Sequence, residues 1–397
     1  MKKTLLAGTA LLGAGVVASP AIAEEGVKLG VGGFFKEAYM VVFDDDSEGE
    51  IGNERNTDGF FNDAEVHFTG STVLDNGLEV GARIELEGET ESDQIDEAWL
   101  YFSGGFGEVR IGSDDEALAN ACLVPPGGTG NFSAFSPNQW GAANGVFGFG
   151  TGTAFEGVNF SSNTVCSGVD DSGDAQKLVY ITPNFAGFQL TVSYTPNGGD
   201  QDHNQGVGPH VGMPLNADDE SRHNVSAYAT YSYDGGDWGV TAGGGGSWEG
   251  HAEQSTGADR DEQDFYQAGL NFTFGNFAIG GAFEYFNNAN TFNDGQDVDI
   301  WVAGGGIAYT FDVWTVGAQY SHQDAEGDNL QGNDLQDVDF AMDRVVLTGN
   351  YAMGPGINID AELGYTWIDT DPEADIDGDD IDDYQAFEIG LGTNIAF

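Results

Sequence analysis

From Leu78 to Glu87 the chain alternates strictly between two kinds of side chain. Leu78, Val80, Ala82, Ile84 and Leu86 fall on one face, and Glu79, Gly81, Arg83, Glu85 and Glu87 on the other. A period of two places successive side chains on opposite faces of an extended strand. One such strand would suit the half-buried sheet of a water-soluble protein equally well. The pattern recurs to the end of the chain, however. Phe188, Leu190, Val192 and Tyr194 alternate with polar residues, as do Ile357, Ile359, Ala361, Leu363, Tyr365 and Trp367. In the last segment Phe387, Ile389, Leu391, Ile395 and Phe397 share one face, opposite Glu388, Gly390 and Asn394. A transmembrane barrel requires this arrangement: lipid meets one face, water meets the other, and closure satisfies every backbone group. The expected fold is therefore an all-β, antiparallel up-and-down barrel.

The connections set the strand number. Short turns are predicted at 75–77, 104–107, 183–187, 234–237, 275–276, 312–313 and 354–356, the first carrying the tight-turn signal Asp75-Asn76-Gly77. Longer polar segments lie between them, near 44–59, 88–94, 113–175, 196–221, 250–264, 288–297, 323–339 and 368–383. Seven short and eight long connections in strict alternation join about sixteen strands. Short turns belong on the periplasmic side and long loops outside, and an even strand number leaves both termini in the periplasm.

The first residues read as an export signal. Lys2 and Lys3 form a basic start, Leu5 to Val17 an apolar stretch too short to span a bilayer, and Ala21-Ile22-Ala23 a small-x-small cleavage site. Residues 1–23 are expected to be removed, leaving 24–397 as a single barrel. No later run of about 18 apolar residues suggests a membrane helix. Sixty-two glycines against ten prolines suit strands and turns, and some of the glycine runs, such as Gly243 to Gly246 and Gly304 to Gly306, can mark close backbone approach. Tyr39, Phe43, Trp238, Trp314, Tyr351 and Trp367 lie near strand ends, where interfacial girdles form. In an exported, oxidising setting the two cysteines, Cys122 and Cys166, are expected to form one disulfide.

The segment 113–175 is too long for an ordinary connection. Phe132, Phe135, Trp140, Phe147, Phe149, Phe155 and Phe160 give it apolar material to pack, and its interior between Glu116 and Glu156 lacks charge. Two placements remain open on these grounds: folded against the inner wall, or facing outward as an antigenic or adhesive loop.

Several motifs now carry a family resemblance. The run Gly70-Ser-Thr-Val-Leu-Asp-Asn-Gly-Leu-Glu-Val-Gly-Ala-Arg-Ile-Glu, then Glu97-Ala-Trp-Leu-Tyr-Phe, then Gly105-Phe-Gly-Glu-Val-Arg-Ile-Gly112 resembles the Gram-negative general porins. The leader and the terminal Phe397 agree. The resemblance implies a sixteen-stranded barrel, usually a homotrimer, in the bacterial outer membrane among its lipid and lipopolysaccharide. Its third loop, 113–175, would fold into the lumen as a constriction, and Phe397 would be read by the barrel-assembly machinery. Basic wall residues would then face acidic loop residues: Arg83, Arg110 and Lys36 on one side, Asp114, Asp115 and Glu116 on the other. Many relatives carry a basic residue after Gly112, where this chain has Ser113-Asp114, so the basic side is thin. Each arginine also has an alternative as a wall salt bridge, with Glu79, Glu85 or Glu108.

Charge points the same way. The chain has 66 acidic residues and 11 basic ones, two of them in the leader. The eight long segments hold 44 of the acidic residues against only Arg55 and Arg260, which makes a negative outer rim that concentrates cations. Nucleic acid, which needs a basic surface, is excluded as a partner; a hydrophobic content of 40% argues against a disordered acidic chain. Within Asp375-Ile-Asp-Gly-Asp-Asp-Ile-Asp-Asp383, the residues Asp375, Asp377 and Asp379 could turn oxygens onto calcium, although the spacing is not that of an EF-hand and a solvated acidic tip is the alternative. No cofactor is otherwise required. No enzyme is expected, because the six histidines show no metal-ligand spacing and His67 reads as a lumen-wall residue. The expected function is diffusion of small hydrophilic solutes and ions, with a preference for cations. A solute-specific channel and an outer-membrane adhesin or receptor are the alternatives.

Overall fold

The computed structural model describes residues 26–44, 57–88, 95–135, 166, 175–198, 221–251, 263–287, 297–331, 334–376 and 379–397. The strands are β1 Lys28–Asp44, β2 Asp58–Val73, β3 Glu79–Glu87, β4 Ala98–Gly104, β5 Gly107–Ser113, β6 Gln176–Ile181, β7 Phe188–Asn197 and β8 Ser221–Asp234. They continue with β9 Trp238–His251, β10 Gln263–Phe274, β11 Phe277–Asn287, β12 Asp297–Phe311, β13 Trp314–Gln331, β14 Asp334–Gly354, β15 Ile357–Ile376 and β16 Asp379–Ala396. Each pairs antiparallel with its neighbours in sequence, and β1 pairs with β16, which closes a sixteen-stranded barrel. The terminal residue completes the seam: Phe397 and Gly33 exchange two backbone hydrogen bonds at 3.0 Å.

All seven short turns fall where the sequence places them. At the first, Gly77 takes φ +82°, a conformation that a side chain would strain, and Asn76 accepts a hydrogen bond from the Leu78 amide at 3.1 Å. Two of the eight long segments differ from expectation. Around 323–339, β13 and β14 stay paired out to Gln331 and Asp334. Around 368–383, β15 and β16 pair again as far as Ile376 and Asp379, after a register shift. These strands run to 18–21 residues, whereas about 9–11 cross a bilayer. Beyond the residues needed to cross lipid the sequence alternation stops, but the backbone ladder continues. Polar side chains there disguise a strand as a loop.

The faces are inverted relative to a soluble protein. Leu391 is 60% exposed while Glu388, on the opposite face of the same strand, is 0% exposed. Ile84, Leu363 and Ile389 are likewise exposed, and Glu85, Asp360 and Glu362 are buried. Only a hydrocarbon surround makes such an exterior favourable. At the end carrying the short turns, aromatic rings form a belt. Tyr233 meets Trp238, Phe274 meets Phe277, Phe277 meets Tyr309, Tyr309 meets Phe311 and Trp314 meets Tyr351, with centroids 4.5–5.9 Å apart. That belt spans β8 to β14. At the opposite end Tyr39 packs on Phe60, and Phe43 on Phe387.

The core lies inside the barrel, between the wall and the third loop. Phe132 packs with Ala38, Met40 and Phe61; Phe135 packs with Ala282, Val302 and Val346; Leu118 packs with Tyr228 and Phe265. The described stretch 113–135 of this loop thus lies inside the barrel, against the wall. Trp140, Phe147, Phe149, Phe155 and Phe160 lie outside the described residues.

Candidate functional site

The third loop leaves β5 at Ser113 and is fastened to the inner wall almost strand by strand. Its short helix α1, Ala117–Ala121, lies against β7, β8 and β9. Helix starts leave amides without partners, and here serine hydroxyls of the wall take them: Ala117 donates to Ser193 Oγ on β7 and Leu118 to Ser226 Oγ on β8, both at 2.9 Å. Ser247 on β9 donates to Glu116 Oε2 at 2.6 Å. Farther along, Gln267 and Asn271 on β10 donate to the Leu123 and Val124 carbonyls at 2.9 Å. Gln319 on β13 donates to the Pro125 carbonyl and accepts from Ser133 and the Ala134 amide, each at 2.9 Å. Thr348 on β14 donates to the Gly127 carbonyl. Asn131 donates to Asp360 on β15 at 2.7 Å. The disulfide between Cys122 and Cys166 ties the loop to itself, with Cα atoms 5.9 Å apart.

Close approach explains several wall glycines. A methyl group at Gly306 would overlap the Pro126 carbonyl oxygen, one at Gly304 the Phe135 ring, and one at Gly317 the backbone of Gly127. These positions face inward, so the chain can press directly on the sheet. Gly317→Val should leave the strand intact, since a β-branched residue suits it, but lift the loop off the wall. The expected result is a lower unit conductance with an unchanged circular-dichroism spectrum, and normal conductance would show that the contact is immaterial.

The basic residues predicted for the constriction lie on β1, β3 and β5. Lys36 donates to Asp63 at 2.6 Å and sits 4.4 Å from the Phe34 ring centre. Arg83 pairs with Glu85 and donates to His67 Nδ1 at 3.0 Å. Arg110 lies 4.5 Å over the Trp99 ring, pairs with Glu108 at 2.7 Å and reaches Asp114 at 3.3 Å. The salt-bridge alternatives with Glu85 and Glu108 are therefore present on this same inner face. Of the acidic trio, Asp114 is buried against Arg110, Asp115 is exposed, and Glu116 turns to Ser247 on the wall and does not face the passage.

Sequence reasoning missed two features. Lys177, on β6 directly opposite Gly112, is buried and donates to the Asp114 carbonyl oxygen. It restores, from the neighbouring strand, the positive charge that Ser113-Asp114 omits. Arg344 on β14 is buried between Glu362 and Glu388, at 2.8 Å from each. No signal in the sequence singles out either residue: each has the polar-face periodicity of its neighbours. Of the calcium candidates, Asp375 and Asp379 lie in β15 and β16, and Asp377 is outside the described residues.

Electrostatics sharpen the loop entrance. Burial, then Asp115, Asp114 and Glu85, push the Glu97 carboxyl up to about 10. Burial and then Asp114 raise Asp115 to about 6, although its side chain touches water. Burial also raises Asp114, opposed by Arg110 and Lys177. The arrangement can therefore present a water-facing anion at Asp115 beside a neutral Glu97 near pH 7.

Comparison with known proteins gives the same picture. A family model described as Gram-negative porin matches residues 7–371. A monosaccharide porin of Halomonas sp and the major outer membrane protein of Halomonas elongata are each 25% identical to the chain, over 93% of it and 94% of their own length. Among solved structures, an anion-selective porin from Comamonas acidovorans superimposes with TM-score 0.57 at 16% identity, over 94% of this chain and 100% of that one. OmpT of Vibrio cholerae in its trimer form gives 0.55 at 14%, with the same coverage. With a closed barrel, an apolar exterior and an inward loop already in place, the matched family completes the assignment: the chain belongs to the Gram-negative porins and is a diffusion channel of the bacterial outer membrane.

Proposed function

We propose that this channel passes small hydrophilic solutes and ions, prefers cations, and works as a homotrimer. One observation carries the reading. The described part of the third loop is held to the wall from β7 round to β1, while Lys36, Arg83 and Arg110, each ion-paired, line β1, β3 and β5 on the remaining flank. Such a layout leaves a polar, charged flank for solutes, and the Halomonas monosaccharide porin suggests a scale for their size. Cation preference follows from Asp115 at the loop entrance and from the acidic long segments, which lower the energy of a positive ion near the mouth.

Trimer formation draws support from the short strands. β4, β5 and β6 have 7, 7 and 6 residues, fewer than the about 9–11 needed to cross lipid alone. Exposed Leu100, Ile111 and Leu178 on this flank gain cover from a neighbouring copy. The OmpT structure in trimer form fits that assembly.

Planar-bilayer recording tests the whole reading. Insertions should close in three equal steps, with a reversal potential that favours cations. Asp115 is neutral below about 6 and ionised above it, so cation selectivity should grow as pH rises through that value. Silent membranes would refute the channel; a reversal potential favouring anions at pH 8 would refute the charge assignment. Saturation by one sugar would favour the solute-specific alternative.

A further inference from the structure

We propose that Glu65, His67 and Glu85 form a lumen-wall site for one divalent transition-metal ion. The three residues come from two adjacent strands of the rigid sheet. Glu65 and His67 are two apart on the inner face of β2, and the β2–β3 register puts Glu85 directly opposite His67. His67 Nε2 lies 2.5 Å from Glu65 Oε2 and 3.2 Å from Glu85 Oε2. All three ligand atoms are within 4.8 Å of one another. Ligands held about 2.0–2.2 Å from a zinc ion need only small movements of the carboxylate tips to surround it.

Composition selects the class of ion. One imidazole with two carboxylates suits zinc and its neighbours, whereas calcium and magnesium prefer all-oxygen sets. Local charge also calls for a cation. A second group, Glu65 with Glu87 and Asp96, shares one ligand with the first at similar spacing. Four carboxylates thus gather here, and Arg83 is the nearby cation paired into the group. Side-chain exposure of 18% at His67 and 15% at Glu65 leaves the site sheltered but reachable from the lumen.

Proton placement makes Arg83 the competitor. A guanidinium only donates, so its 3.0 Å contact makes His67 Nδ1 the acceptor and leaves the proton on Nε2. A metal ion takes Nε2, that proton moves to Nδ1, and Arg83 keeps its pair with Glu85. Removing the guanidinium should therefore favour the metal.

The test is zinc titration of the folded, full-length barrel in detergent by calorimetry, with excess magnesium to occupy the acidic loops. Wild type should bind one equivalent per protomer. His67→Ala and Glu65→Gln should each lose at least about tenfold in affinity, in line with the 10–100-fold cost of lost support around metal sites. Arg83→Gln should bind more tightly. Heat-modifiable migration on gels reports whether each variant is folded. Absence of saturable zinc binding in the wild type, equal binding by wild type and His67→Ala, or unchanged binding in Arg83→Gln would overturn the site. Because binding is read without transport, its failure is distinct from failure of the channel reading.

Discussion

Replacing Cys122 and Cys166 together by serine should loosen the third loop without opening the barrel. The bridge spans a sequence separation of 44 residues, for which chain entropy gives a contribution of about 4 kcal/mol. That energy acts on the loop, because the strands remain paired all round and their ladder does not depend on the bridge. The hydrogen bonds that the loop donates to Ser193, Ser226, Gln319 and Asp360 still hold residues 117–134, so the loop loses one constraint among several. Native-state proteolysis within 114–175 should accelerate by up to about a thousandfold, the factor that 4 kcal/mol corresponds to. Resistance of the strands to heating should stay as in the wild type. Equal cleavage rates in oxidised and serine proteins would show that the wall contacts alone secure the loop.

The largest functional effect is expected from Asp114→Asn with Asp115→Asn. The two changes act differently. Asp115 offers its charge to the water of the passage, and its removal deletes an anion there. Asp114 is buried between Arg110 and Lys177, so its removal unmasks positive charge already present. Both shifts favour anions. An ion about 8 Å from one charge in water feels about 0.5 kcal/mol. Two charges then raise a cation by about 1 kcal/mol and lower an anion by as much, a difference of about 2 kcal/mol, or about a thirtyfold fall in the cation-to-anion permeability ratio. Reversal potentials in a salt gradient at pH 8 measure it directly. Each single variant should give about half of the energy, and an unchanged ratio in the double variant would place the selectivity elsewhere, at the acidic rim.

Much of the fold is legible because period-two alternation is a physical requirement of a lipid-facing wall. The face carrying Ile84 and the face carrying Glu85 are separable by eye, and every short turn follows from Gly, Pro, Asn or Asp at a break in the alternation. Legibility ends where the lipid ends. β13 to β16 continue into water with polar residues on both faces, so their outer portions read as loops. Inside the barrel the problem is different. Alternation tells which face a side chain occupies but not what stands opposite it. Ser193, Ser226 and Ser247 look like ordinary polar positions, yet they hold the loop. His67 is an instructive case, because counting outward in both directions from the 74–78 turn does place it opposite Glu85. That register was readable; the approach of Arg83 was not, since it depends on how a long side chain lies across the sheet.

The fastening of the third loop also dictates an order of assembly. Its partners on the wall lie 76 residues away at Ser193, 185 at Gln319 and 229 at Asp360. These strands all follow the loop in the chain, so they are exported after it and must be in position before it can dock. Docking of residues 117–134 is consequently expected to follow the placement of β7, β13 and β15, which hold it. A barrel arrested before β13 to β16 join would leave this segment without its Gln319 and Asp360 partners, so its docking would report a ring built at least as far as β15.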